Sequence, residues 1–196
     1  MFKRIFCLFM SLILCVGAVW ADDFEDGNAA EGKADYVTAL KKYNDAASRN
    51  DSRAQLRIGV LYEGGWGVVP DYAEAARWYR LAAIGGNAFA QYKLALMNDM
   101  GKGVVQDYAE AMRWYRLAAA QDMTDAKFML GSSYLNRQNV AQDNVKAHMW
   151  LNLAAIADSH AAQTRNLLEL RMTPQQIAEA QKLARECQAR NFKNCD

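Results

Sequence analysis

Apolar side chains recur along most of this chain at the three-and-four spacing of a helix buried on one side. In AQLRIGVLY (54–62), Ala54, Ile58 and Tyr62 fall at i, i+4 and i+8 and share one helix face. AQYKLALMN (90–98) and AKFMLGSSY (126–134) predict two further helices of the same kind. A second kind of helix alternates with these: DYAEAARWYRLAA (71–83) and DYAEAMRWYRLAA (107–119) agree at twelve of thirteen positions, 36 residues apart. Asp71 stands where an N-cap is wanted, and Glu74 and Glu110, three residues after their aspartates, predict capping boxes. The helix that begins after Asp71 should stop near Ile84, where Gly85 and Gly86 follow.

The 36-residue spacing extends beyond the two copies. Asp35, Asp71, Asp107 and Asp143 form one column, and Ala39, Ala75, Ala111 and Ala147 another. Ala46–Ala47, Ala82–Ala83, Ala118–Ala119 and Ala154–Ala155 give a column of small pairs, through which a neighbouring backbone can approach. Trp78, Trp114 and Trp150 occupy a fourth, with Lys42 in the earliest copy. Gly65 and Gly67, then Gly101 and Gly103, predict tight turns between the two helices of a unit. In the last copy RQNVAQD (137–143) keeps the loop length without glycine, and Asn139 is the residue suited to a positive φ. A repeat of this length marks a stack, because one helix pair cannot bury its apolar face alone.

These columns resemble the Sel-like repeat (SLR) family, relatives of the tetratricopeptide repeat. The motifs are A-x-x-x-[IL]-G-x-x-Y, G-x-G-V-x-x-D and W-Y-x-x-A-A, carried by Ala54, Ile58, Gly59, Tyr62, Gly65, Gly67, Val68, Asp71, Trp78, Tyr79, Ala82 and Ala83. Asn98 stands where the family has Tyr, and the last loop lacks its glycines. The resemblance implies an all-α fold, a right-handed α/α solenoid of antiparallel helix pairs. Its parts would be a divergent N-terminal hairpin (22–51), repeats at 52–87, 88–123 and 124–158, and a C-terminal helical cap (159–196). In the cap, TPQQ (173–176) offers an N-cap Thr, an N1 Pro and an N3 Gln.

Residues 1–21 read differently. Lys3 and Arg4 precede an apolar run from Ile5 to Trp20, and VWA ends at Ala21 before two aspartates. This is the pattern of a cleaved secretory signal, with Val19 and Ala21 as the small residues at the cut. The expected mature chain is periplasmic or secreted. Loss of Lys3 and Arg4 leaves 21 basic against 22 acidic side chains, a balance without the footprint of a nucleic-acid or anionic-lipid binder. No other run approaches the length of a membrane span, so none is expected after cleavage.

Two cysteines remain after the signal, Cys187 and Cys195, and an even count in an exported chain suggests a disulfide. Eight residues of straight helix would hold their Cα atoms about 12 Å apart, beyond the ~7 Å that bridging allows. A bond therefore requires the last helix to stop near Ala189–Asn191 and turn back; free thiols at a frayed end are the alternative.

Chemistry is sparse. His148 and His160 have no neighbouring ligand pattern, no H-E-x-x-H, G-x-S-x-G or P-loop occurs, and no Ser is followed three residues later by Lys. No cofactor or metal is expected. The family implies a groove for a peptide or protein partner, lined by the first helix of each unit. The face opposite the packing face carries Arg53, Arg57, Val60 and Gly64, then Phe89, Lys93 and Leu96, then Asp125, Met129 and Ser132. Arg53, Arg57, Phe89 and Lys93 suit an acidic-apolar segment or a carboxylate terminus. Trp66 stands in a loop where the next copy has Lys102, so it is either a contact anchor or folded over the adjacent helix. The leading expectation is a monomeric exported scaffold that binds a protein or peptide. A weak enzyme acting on β-lactams or cell wall, and a self-associating structural module, are the alternatives.

Overall fold

A computed structural model describes residues 23–135 and 143–195. The expected signal segment and the glycine-free loop around Asn139 lie outside the described residues. Every regular element described is helical: α1 (23–31), α2 (Tyr36–Ala47), α3 (Ser52–Gly64), α4 (Tyr72–Ile84), α5 (Ala88–Met100), α6 (Tyr108–Ala119), α7 (Thr124–Leu135), α8 (Asn144–Ala154), α9 (Ser159–Glu169) and α10 (Pro174–Ala189). Helices pair in succession, α3 with α4, α5 with α6 and α7 with α8. The chain forms two compact units that divide between Gly86 and Asn87.

The aspartate column caps as expected. Asp35, Asp71, Asp107 and Asp143 each accept a backbone N–H from the first turn of the following helix. The capping boxes at Glu74 and Glu110 do not form. Each glutamate instead accepts from an arginine three residues on and a tryptophan four residues on: Arg77 and Trp78 in α4, Arg113 and Trp114 in α6. The N-cap amides that a box would satisfy already have partners. Asp71 N donates to Tyr62 O, Asp107 N to Asn98 O and Asp143 N to Tyr134 O, at 3.0, 2.9 and 3.2 Å. This backbone clasp closes each repeat irrespective of the side chain at its acceptor, which is why Asn98 substitutes for Tyr without disturbing the loop.

The turns obey the same economy of types. Gly65, Gly67, Gly101 and Gly103 all have φ between 67° and 73°, the left-handed region. Between repeats, Asn50, Gly86 and Asp122 stand 36 residues apart and all take positive φ, which Asn, Gly and Asp tolerate best.

In the first unit, α1 and α2 form a complete repeat with four residues removed from its loop. Gly27 lies against the Tyr43 ring as Gly59 lies against Tyr79, and Tyr43 donates to Glu31 as Tyr79 donates to Glu63, both at 2.6 Å. The tyrosines are 36 residues apart, but the glycines and glutamates only 32. Burial and the neighbouring carboxylate push both phenols well above their ordinary range. The core is closed by Ala39, Ala46, Ile58 and Leu61.

In the second unit the tyrosine–carboxylate pair decays along the chain. Asp99 takes the place of Glu63, one methylene shorter, and the Tyr115 hydroxyl finds no hydrogen bond. One repeat later the pair has become Leu135 and Leu151, apolar on both sides. The end of the unit is closed by α9 and α10, both packed on α8. α10 opens with the expected capping box, in which Thr173 and Gln176 bond each other's backbone amides, and Pro174 is its first residue. Its effect is read from one column: Leu81 and Leu117 are 40% and 42% exposed, but Leu153 only 3%.

Candidate functional site

The expected groove residues divide between the two units. In the first, Arg53 and Arg57 project from α3, and both have partners inside the unit. Arg53 bonds the N-cap Asp51 through two of its nitrogens and lies over the Phe24 ring at 4.3 Å. Arg57 forks onto Glu31 of α1, which also accepts from Tyr43. Burial pushes the Glu31 carboxyl up, yet the hydrogen bonds from Arg57 and Tyr43 outweigh it and hold the group below its ordinary value. The spacing of 26 residues between Glu31 and Arg57 hides this pair from a reading by helix faces.

A depressed carboxylate pKa stabilises the fold above the group's unfolded value and ceases to do so as pH falls through the folded value. Arg57→Ala is therefore expected to cost about 1 kcal/mol at neutral pH, a value discounted for the half-exposed guanidinium. The gap between variant and wild type should close as Glu31 protonates, below the usual carboxylate range. Urea unfolding of both proteins from pH 7 down to 3 checks this; a gap that stays constant with pH would contradict it.

Trp66 folds against the neighbouring helix. Its ring stacks on Tyr36 of α2 at 5.8 Å and 25°, while its outer side remains exposed. In the second unit Phe89 is exposed on α5, with the Lys93 ammonium 5.9 Å from its ring centre.

The second unit also contains a cavity of about 580 Å³ that sequence reasoning missed. Arg113, Arg116 and Leu117 of α6 and Trp150 of α8 form one side, and Phe192 to Cys195 form the other. The sequence held a signal only in part: the disulfide turn was legible, but nothing local joins it to a helix 75 residues earlier. α10 ends at Ala189, and Cys187 and Cys195 are bonded with their Cα atoms 5.1 Å apart.

His148 is fully buried, with Nε2 2.7 Å from Glu169 Oε1 and Nδ1 without a hydrogen bond among the described residues. His160 is exposed, its ring 5.1 Å from that of Phe128. Among the described residues no group of three His, Cys, Asp or Glu side chains could hold a metal ion. No described helix is long and apolar enough to cross a membrane.

Paired helices closed by the same backbone clasp define an all-α repeat protein. Residues 52–87, 88–123 and 124–159 match the Sel1 repeat, and the chain belongs to that family. It is 29% identical to a Sel1 repeat protein from Oxalobacter formigenes, with a TM-score of 0.69 over 74% of this chain and 60% of that one. A protective antigen of uropathogenic Escherichia coli, c5321, displays the SLR fold and matches at 24% identity and a TM-score of 0.62, over 90% of this chain and 47% of that one. The chain thus spans less than two thirds of either structure's length. No curated protein matches it. Sel1 repeats generally serve as non-enzymatic scaffolds for protein–protein interaction.

Proposed function

We propose that this protein is an exported binding scaffold for a protein or peptide partner in the bacterial envelope or at a host surface. The observation that carries the reading is a set of large apolar side chains kept in water at equivalent positions of successive repeats. Val69 is 84% exposed and Val105, 36 residues later, 89%. Leu81 and Leu117 repeat the pattern on the second helix of each pair. The core uses none of these side chains fully, so a polar residue would fold as well; contact with a partner gives them a use. Export is supported by the pairing of Cys187 with Cys195, a bond that persists in oxidising compartments.

The test places a photo-activatable amino acid at Val69, at Val105 and, as a control, at Lys182 on the exposed side of α10. Irradiation in envelope extract is expected to give one discrete conjugate from positions 69 and 105 and none from 182. Conjugates of equal yield from all three positions, or from none, would refute a scaffold that binds through its repeats.

A further inference from the structure

We propose that the cavity between α6 and the disulfide loop binds the C-terminal carboxylate of a partner whose last residue is large and apolar. This deepens the scaffold reading and rests on it. Three cations line the cavity, Arg113, Arg116 and Lys193, and among the described residues no carboxylate does. Arg113 is already held by Glu110 and Arg116 donates to the Tyr134 hydroxyl, but the Lys193 ammonium makes no ion pair among the described residues. Leu117, Trp150 and Phe192 supply the apolar surface between the charges. The volume of about 580 Å³ lies within the range of pockets that enclose small ligands.

The occupant follows from this combination. A C-terminal residue carries its carboxylate and its side chain on one Cα, so a single residue presents both chemistries to one pocket. Arginine and lysine donors recognise a carboxylate, and the apolar wall selects the side chain beside it.

The wall is a built feature. Asn191, Phe192 and Asn194 all have φ between 51° and 60°, a region that bulky Phe rarely enters. The Cys187–Cys195 bond holds them there, with Lys127 of α7, buried with its ammonium 3.7 Å from the Phe192 ring centre and paired to Asp122, and with hydrogen bonds from Phe192 N to Cys187 O and from Arg190 to Asn194 O. Reduction removes the one covalent tie and should loosen the wall while leaving the repeats folded. The site is therefore competent only in the oxidised protein.

The experiment uses the oxidised full chain, immobilised, and a degenerate mixture of tetrapeptides with free C-terminal carboxylates beside the same mixture amidated. Mass spectrometry reads what is retained. Free acids ending in Leu, Met, Phe or Trp should be enriched, and amides should not. Lys193→Glu, which keeps the disulfide and lies on an exposed loop, should cut retention roughly tenfold or more. Cys187→Ser/Cys195→Ser should do the same, with helicity by circular dichroism unchanged. Equal retention of acids and amides, no retention of either, or retention unchanged in Lys193→Glu would overturn the proposal. The two readings fail separately: photo-conjugation at Val69 and Val105 that survives Lys193→Glu preserves the scaffold and sinks only the cavity.

Discussion

Trp150→Ala is expected to destabilise the protein by about 3–5 kcal/mol, the range for removing a fully buried large aromatic. Trp78→Ala should cost less than half as much, although the two residues occupy the same column. Trp150 is 1% exposed, whereas Trp78 is only partly buried at the edge of its core. Trp114, between them in the column, is already 4% exposed, so the burial of this position rises before the last repeat is reached. α10 packs along α8 and adds Leu153, 3% exposed against 42% for Leu117, to what is buried beside Trp150. Loss of the indole also removes a wall of the cavity, which the surrounding helices can fill only by moving. Thermal and urea unfolding of the two variants, followed by circular dichroism, gives the comparison. Equal losses would mean that the deeper burial of Trp150 does not set its contribution to stability.

The repeat itself was legible because its signals are local. An aspartate cap, a glycine pair after a helix and an alanine pair on one face each act within a few residues, and the structure places them as expected. The role of Glu74 was misread for an equally local reason. The S/T/D-x-x-E spacing predicts a capping box, but the amide that the box would serve is taken by Tyr62 O from the preceding helix, and the carboxylate turns to Trp78. The N-terminal hairpin was only partly legible, because four missing loop residues shift its first helix out of the 36-residue register while its second stays in it.

The candidate site was less legible than the fold. Arg57 looked available on its helix face, since the carboxylate that takes it lies 26 residues earlier in a helix outside that register. The cavity required three separate stretches, α6, α8 and the disulfide loop, to be folded together. Charge, exposure and helix period describe one stretch at a time, so such a site has no signature in any of them.

The sharpest expectation for the repeat interior concerns Gly59, where one chain supplies its own control. A Cβ at Gly59 would lie 2.6 and 2.7 Å from two ring atoms of Tyr79, which is fully buried and tied by its hydroxyl to Glu63. The next repeat has Ala95 in this column, fully buried, opposite Tyr115. There the shorter Asp99 makes no hydrogen bond of ordinary geometry to the phenol among the described residues, so the ring is held less firmly and can give way to a methyl group. Gly59→Ala is thus expected to be close to neutral: the helix gains about 1 kcal/mol from losing a glycine, and moving the Tyr79 ring against its bond to Glu63 offsets it. Gly59→Val adds two further carbons where Ala75 O already stands 3.3 Å from the new Cβ. It should cost about 3 kcal/mol, the upper end for an overpacked core. Urea midpoints of both variants decide the point, with Glu63→Gln combined with Gly59→Ala as the companion. If weakening the Tyr79 bond makes the alanine stabilising, the hydroxyl is what forbids a side chain at this position; if it changes nothing, the backbone of α4 does.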